Sequence, residues 1–251
     1  MDIALQFVRL QREADDVISF FFRPQRPLAF LAGQFLELSL PHPTPDSRGS
    51  ERCLTIASAP SEALLQFTTR VDSTPSTFKQ ALCKLRPGDV VAASGPYGDF
   101  VYAEDGTPSV FIAGGIGITP FRSTLLEMAT RPAPPPATLL YSNGSPNIPF
   151  RAAFDRLQAD WPALRLVYTV TRPSAAWRGP SGRIDATFIA EHVPDPARSR
   201  FFVCGPAAFT GAIVGALQRL GVPAARINQE EFPGYEAAAE RAGSASLAAV
   251  V

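Results

Sequence analysis

Apolar and polar positions alternate in short runs over the first hundred residues, and Pro, Gly and Asp separate these runs. Such period-two runs are typical of β-strands, and their close spacing predicts an antiparallel β-barrel. One helix is expected inside it, from Thr77 to Leu85, where Ser76 or Thr77 can cap the first turn. The expected strands are residues 3–10, 17–22, 34–40, 64–71 and 89–93.

The pattern changes after Glu104, where continuous apolar runs begin to alternate with segments of helical periodicity. This alternation predicts an α/β domain with an open, mostly parallel sheet of five strands. Thr119 is expected to cap the helix that Pro120 opens. The expected strands are residues 110–113, 138–141, 164–170, 201–204 and 226–229. We therefore predict a barrel domain over residues 1–104, an α/β nucleotide-binding domain over residues 105–235 and a mobile, Ala-rich tail over residues 236–251.

Composition narrows the class of ligand. The 251 residues are 46% apolar, which is enough for two cores, and 23 basic residues balance 23 acidic ones. Nucleic acid and anionic membranes are therefore poor candidate partners, and a small-molecule ligand is favoured. The three cysteines match neither a metal-ligand spacing nor a disulfide framework, so no metal is expected. We therefore expect the protein to be in a reducing cytoplasm and to have no membrane span.

Two glycine-rich segments follow expected strands, which leaves backbone N–H groups open to a phosphate. The first, residues 114–120 (GGIGITP), matches the dinucleotide fingerprint only in part, because Pro120 replaces its third glycine and no acidic residue ends the next strand. A tight strand-to-helix turn without a ligand is the alternative. The second, residues 204–206 (CGP), brings a cysteine to a corresponding strand end, and an inert buried thiol is its alternative.

Five short motifs, taken in their order along the chain, together carry a resemblance to a known family. They are residues 52–60 (RCLTIASAP), 85–89 (LRPGD), 95–100 (GPYGDF), 114–120 and 204–206. Together they resemble the ferredoxin-NADP reductase family, over residues 33–235. The resemblance implies an antiparallel barrel that binds FAD, an α/β domain that binds NADPH or NADH, and a nicotinamide that reaches the flavin across the cleft.

On the flavin side, the resemblance implies that Arg52 meets the FAD pyrophosphate and that Thr55 hydrogen-bonds near the flavin N5. A guanidinium forks onto phosphate oxygens, and a small hydroxyl leaves room for the nicotinamide. Leu54 stands where the family usually has an aromatic residue. The second phosphate contact falls on Ser76 or Thr77, for which plain N-capping is the alternative. The expected FAD-binding residues are Arg52, Cys53, Leu54, Thr55, Ser76 and Thr77.

On the nicotinamide side, the resemblance implies that the first glycine segment holds the pyrophosphate and that Cys204 lies near the nicotinamide as a positioning group. Basic residues favour NADPH over NADH, since an arginine suits the 2′-phosphate dianion, although the same arginines could be surface charges. The expected residues are Gly114, Gly115, Gly117, Thr119, Cys204, Gly205 and Pro206 for the dinucleotide, and Thr171, Arg172 and Arg183 for the 2′-phosphate.

The last motif, residues 229–235 (QEEFPGY), resembles the family's C-terminal strand, in which an acidic residue and an aromatic ring lie beside the isoalloxazine. Phe232 is the first stacking candidate and Tyr235 the second, with core packing as the alternative. A proton relay would use Glu230 or Glu231. The expected catalytic set is Thr55, Cys204, Phe232 and Glu231.

The function that follows is an NAD(P)H-dependent flavoprotein reductase. A hydride passes from NAD(P)H to FAD, and electrons pass on to an external acceptor: a ferredoxin, a flavodoxin, an oxygenase component, or a haem or iron chelate. No Cys-x4-Cys-x2-Cys run for an iron–sulfur centre occurs in the sequence. The alternative from another class is a non-enzymatic flavin- or nucleotide-binding docking subunit, because a fold does not prove turnover.

Overall fold

In the computed structural model, which describes residues 3–232, six antiparallel strands and one helix form the first layer, here called the barrel. The strand order is β4-β3-β6-β1-β2-β5. A bridge between Ile56 and Phe67 joins the two edges, and Ala57 N–H donates to the Gln66 carbonyl at 2.7 Å. The strands are β1 (Ile3–Ala14), β2 (Val17–Pro24), β3 (Phe35–Ser39), β4 (Glu51–Thr55), β5 (Leu65–Arg70) and β6 (Val90–Tyr97), and the helix is α1 (Thr77–Leu82).

The barrel core comes from one face of each strand. Leu5, Phe20, Leu36 and Phe67 have no exposed surface, and Phe78 of α1 packs against them. Each such side chain contributes about 1.5–3 kcal/mol by burial. Their alternation along the strands made most of the barrel predictable.

Several elements of the barrel differ from expectation, and strands β1 and β6 each extend four residues further, to Ala14 and Tyr97. Helix α1 ends at Leu82 rather than Leu85, with Cys83 as its C-cap. Strand β4 was expected only as a motif, because exposed and part-buried residues alternate along it and it has no apolar run.

Five parallel strands with helices on both faces form the second layer, here called the α/β layer. The strand order is β11-β10-β7-β8-β9. The strands are β7 (Ser109–Gly114), β8 (Ala137–Asn143), β9 (Leu164–Val170), β10 (Arg200–Gly205) and β11 (Ile227–Glu231), and the helices are α2 (Thr119–Ala129), α3 (Arg151–Asp160), α4 (Ala186–His192) and α5 (Ala207–Arg219). The expected fold class, an antiparallel barrel followed by a five-stranded α/β sheet, is confirmed.

Both faces of the parallel sheet are covered. Phe111 and Ala113 face the core of α2 and α3, whereas Val110 and Ile112 face the core of α4 and α5. This double burial explains why the strands read as continuous apolar runs. No helix within residues 3–232 is long and apolar enough to cross a bilayer. The expected tail lies outside the described residues.

The chain reverses direction across the sheet at β7. It passes outward to β8 and β9 and then returns to place β10 on the other side of β7. The carboxyl ends of β7 and β10 are therefore adjacent, and open α/β sheets bind their ligands at such a switch point. A Cβ built on Gly205 would lie 3.3 Å from the Gly114 Cα, so both glycine segments meet there.

Candidate functional site

A cavity of about 530 Å³ lies where the barrel meets the α/β layer. The barrel contributes β4 and β5 to its wall, and the α/β layer contributes the turn after β7 and the end of β11. The lining residues that matter for chemistry are 52–55, 68–69, 116, 119 and 230–232. One cavity thus gathers residues from both halves of the chain.

Arg52 is held at the cavity wall by groups of its own chain. Its Nη2 pairs with Asp46 Oδ1 at 3.0 Å, and its Nη1 donates to the carbonyls of residues 48, 49 and 51 at 2.6–3.0 Å. The guanidinium carbon lies 5.3 Å from the centre of the Phe78 ring. Desolvation alone would raise the pKa of Asp46, but the Arg48 N–H and the Arg52 charge lower it. The guanidinium is therefore oriented before any ligand arrives.

The α1 N-terminus uses its two hydroxyl residues differently. Ser76 caps the helix by accepting from Lys79 N–H at 3.4 Å. Thr77 Oγ1 lies 2.9 Å from His42 Nε2 and accepts from Asp46 N–H at 3.0 Å. The N-capping alternative therefore describes Ser76, and Thr77 fixes the loop that carries Asp46. A phosphate contact at either residue stays a prediction.

The remaining residues of the expected flavin motif lie along β4. Cys53 is exposed, and burial and the charge of Glu37 raise the pKa of its thiol. Leu54 packs against the barrel core, and Thr55 is buried at the end of the strand. All three line the cavity.

Sequence reasoning missed part of this wall. Thr68 and Thr69 of β5 are buried and line the cavity, and Thr68 Oγ1 lies 2.8 Å from Ser19 Oγ. Glu37 of β3 lines it as well. A signal was present, because Thr69 takes a position at which the alternation of Leu65, Phe67 and Val71 calls for an apolar residue.

The turn after β7 fits a phosphate. Gly115 has φ +54°, in the left-handed region, and opens a 3₁₀ turn over Gly115–Ile118 that leads directly into α2. A Cβ on Gly117 would lie 2.3 Å from the Cys204 carbonyl oxygen, so glycine is required there. Among the described residues no side chain caps the 3₁₀ turn, which leaves the N–H groups at its start to a ligand.

Thr119 is not the N-cap that the sequence suggested. The turn continues into the helix, so Ile118 is the cap residue, and the Thr119 hydroxyl donates to the Ile116 carbonyl at 3.1 Å. Thr119 is buried at the base of the turn and lines the cavity.

Cys204 and Glu230 are register partners on β10 and β11. Cys204 is fully buried in the core of the α/β layer, and burial and the Glu230 charge raise the pKa of its thiol. Its place beside a nicotinamide stays a prediction. Pro206 is the N-cap of α5 just beyond Gly205.

The two acids of β11 differ. Glu230 Oε2 is buried without a hydrogen-bond partner among the described residues, and burial raises the pKa of Glu230 to about 7. Glu231 Oε1 accepts from the Thr210 hydroxyl at 3.0 Å. Both line the cavity. A proton relay through either carboxyl group stays a prediction.

Phe232 joins the two layers at the cavity. Its N–H donates to the Gly205 carbonyl at 3.1 Å, and its ring packs against Ala14, Val17 and Ile116. This contact agrees with the core-packing alternative and also leaves the residue on the cavity wall. Tyr235 lies outside the described residues.

The expected 2′-phosphate residues lie at the carboxyl edge of β9. Thr171 N–H and Arg172 N–H donate to the carbonyls of Asn143 and Gly144. Gly182 N–H donates to the Val170 carbonyl at 2.9 Å, which brings Arg183 to the same edge. The side chains of residues 171, 172 and 183 are exposed. Both interpretations, a 2′-phosphate site and surface charge, stay open.

Comparison with known proteins gives this geometry its context. A family model for the oxidoreductase NAD-binding domain matches residues 111–214. One component of the Na⁺-translocating NADH-quinone reductase of Psychrobacter arcticus is 27% identical over 200 residues, which cover 73% of this chain and 49% of the relative. The chain thus spans about half the length of that relative.

Two solved structures share the whole fold. The cytochrome P450 reductase GcoB of Amycolatopsis is 26% identical with a TM-score of 0.80, over 92% of this chain and 70% of that one. The FAD/NAD-binding domain of the nitric oxide dioxygenase of Vibrio cholerae has a TM-score of 0.79 at 23% identity, over 92% and 98% of the two chains.

The matched domain and the shared fold define the class of protein as an FAD- and NAD-binding oxidoreductase. The chain contains an oxidoreductase NAD-binding domain and has the fold of the ferredoxin-NADP reductase-like, FAD- and NAD-binding oxidoreductases. The resemblance drawn from the sequence is confirmed, and so are FAD and NAD(P)H as the cofactors and FAD-dependent oxidoreductase as the class of enzyme.

Proposed function

We propose that this chain is an NAD(P)H-dependent flavoprotein reductase that passes electrons to an external acceptor. The observation that carries the proposal is the single cavity at the switch point, walled by Thr55 from the barrel and by Thr119, Glu230 and Phe232 from the α/β layer. A flavin on one wall and a nicotinamide on the other would meet there. Such positioning is the main contribution of a protein whose cofactors carry the chemistry.

The residues fit an anionic, aromatic cofactor on the barrel side. Arg52 supplies a fixed guanidinium for a pyrophosphate, and Thr55, Thr68 and Thr69 supply hydroxyls on adjacent strands. Bound flavin would supply a two-electron acceptor that can release its electrons one or two at a time. Thr55 would orient the ring, and Glu230 would hold or release a proton near neutral pH.

On the nucleotide side, Gly115 and Gly117 would let the backbone approach a pyrophosphate, and Thr119 would fix the turn. Arg172 and Arg183 would bind a 2′-phosphate, which favours NADPH. We propose these roles from the positions that the side chains occupy.

The acceptor is a further part of the proposal. One relative is named as a component of a quinone reductase, and one similar solved structure is named as a cytochrome P450 reductase. For this chain we propose a small redox protein or an oxygenase component, with a haem or iron chelate as the non-protein option. An acceptor screen after flavin reduction would separate these choices.

The test is anaerobic mixing of the FAD-loaded protein with NADPH and, separately, with NADH. Bleaching of the flavin absorbance within seconds is the expected result, with NADPH effective at the lower concentration. A flavin that stays oxidised with both nucleotides would refute the reductase and support a docking subunit.

A further inference from the structure

Helix α2 is tied to the barrel by a group of polar contacts, here called the α2 clamp. Arg122 Nη1 donates to the Ala57 carbonyl at 2.7 Å and to Glu62 Oε2 at 2.8 Å, and Nη2 donates to Glu62 Oε1 at 3.1 Å. The next residue, Ser123, is fully buried and donates to the Ser58 carbonyl at 2.6 Å. Four hydrogen bonds thus cross from one helix turn to one short barrel segment.

The barrel side of the clamp is ordered by its own contacts. Glu62 Oε2 accepts from Ala59 N–H at 2.8 Å, and Glu62 N–H donates to the Ala59 carbonyl at 3.0 Å. These reciprocal bonds close a turn and hold the carboxylate in one orientation. Arg122 therefore meets a fixed, bidentate partner, the geometry that a guanidinium recognises best.

The clamp lies between the two cofactor walls. On the barrel, Ala57 follows Thr55 by two residues, and on α2, Arg122 follows Thr119 by three. Both threonines line the cavity. On the other side, Ala14 and Val17 pack against Ile116. Beside it, Asn147 Nδ2 donates to Asp15 Oδ1 at 2.7 Å. Loss of the clamp would leave these contacts, so the layers would shift relative to each other without separating.

Stability alone is a weak explanation for this arrangement. Glu62 is 38% exposed, and part-exposed ion pairs contribute only about 0–1 kcal/mol. Geometry at a reacting centre is far more sensitive, because a misplacement of about 1 Å can slow a reaction by roughly a hundredfold. The clamp joins the segments that carry the two walls, so its main effect falls on their relative position.

We propose that Arg122 is a positioning residue, which through Glu62 and the Ala57 carbonyl fixes the nucleotide wall relative to the flavin wall of the cavity. The inference rests on the proposed function for its kinetic consequence. Its structural consequence, a fixed contact between α2 and residues 57–62, is independent of turnover.

The kinetic test compares Arg122→Met with Arg200→Met. Arg200 forms an ion pair with Asp105 at 2.7 Å at the amino end of β10, away from the cavity, and is the matched control. In stopped-flow mixing of the FAD-loaded proteins with NADPH, Arg122→Met should lower the limiting rate of flavin reduction by about tenfold or more at unchanged FAD occupancy. Arg122→Lys should recover part of the rate. An Arg122→Met rate like that of the control would overturn the proposal.

Two further measurements cover the other outcomes. In the FAD-loaded proteins, backbone hydrogen exchange in residues 56–63 should become faster in Arg122→Met but not in Arg200→Met. Unchanged exchange in these residues would overturn the clamp, and this result does not depend on whether wild type reduces its flavin. That failure by itself would refute only the proposed function. If Arg122→Met loses FAD, the milder variant Glu62→Gln tests the proposal instead. At full FAD occupancy this variant should reduce its flavin more slowly than wild type, and an unchanged rate would refute the proposal.

Discussion

Replacement of Glu230 by Gln should make the folding stability much less dependent on pH. Burial at the cavity wall raises the pKa of Glu230 from an ordinary 4.5 to about 7, so between these values the folded protein binds a proton that the unfolded chain has lost. Stability from this group is therefore fully present below pH 4.5 and is lost as the pH rises through 7. Glutamine keeps the shape and cannot ionise.

The size of the effect follows from the shift. A rise from 4.5 to about 7 corresponds to at most about 3 kcal/mol, and solvent in the cavity reduces the expected loss to about 1–2 kcal/mol. Glu230→Gln should therefore gain about 1–2 kcal/mol over wild type at pH 8.5 and little at pH 4.5.

Urea unfolding of the FAD-loaded protein at pH 4.5, 6 and 8.5 measures this difference. Glu231→Gln is the control on the neighbouring residue, whose carboxylate is bonded to Thr210. A Glu230→Gln variant with the same pH profile as wild type, or a control with an equal gain at pH 8.5, would refute the assignment of the buried proton to Glu230.

Three further predictions test the cofactor walls. Arg52→Ala should weaken FAD binding by about tenfold to a hundredfold and FMN binding much less, since only FAD has a pyrophosphate; equal losses in fluorescence titrations would contradict this role. Replacing Arg172 and Arg183 together by Gln should lower kcat/KM for NADPH at least tenfold more than for NADH, and equal losses would identify them as surface charges. Gly117→Ala should prevent native packing, because its Cβ would lie 2.3 Å from a backbone carbonyl oxygen. The control Gly211→Ala in α5 has open space around it and should keep or raise the Tm. A Gly117→Ala protein that melts like wild type would contradict the packing argument.

Much of the fold could be predicted because burial leaves a periodic record. On β3, the buried Leu36 and Leu38 alternate with partly exposed residues, and Phe111 and Ile112 face opposite cores of the parallel sheet. Strand β4 leaves no such record, since it lies at the cavity and only its last residue, Thr55, is buried. It was found only through the motif that it carries.

The candidate site was predictable where one residue type is required by local geometry. Gly115 adopts a left-handed conformation and Gly117 allows a close approach of two backbones, so both stand out in the sequence. Thr119 shows the limit of such local reasoning. Whether a hydroxyl caps a helix depends on the backbone before it, and here a 3₁₀ turn occupies that position.

The sequence by itself determined the two layers, the glycine turn and the family resemblance, because periodicity and local backbone requirements are visible in consecutive residues. Only the tertiary structure decided which polar groups lose water and which find partners. It buried one carboxyl oxygen of Glu230 without a hydrogen-bond partner among the described residues while Glu231 met Thr210, and it brought Arg122 to Glu62 across sixty positions of sequence. Desolvation and long-range contact depend on residues distant in the chain, so no local pattern could reveal them.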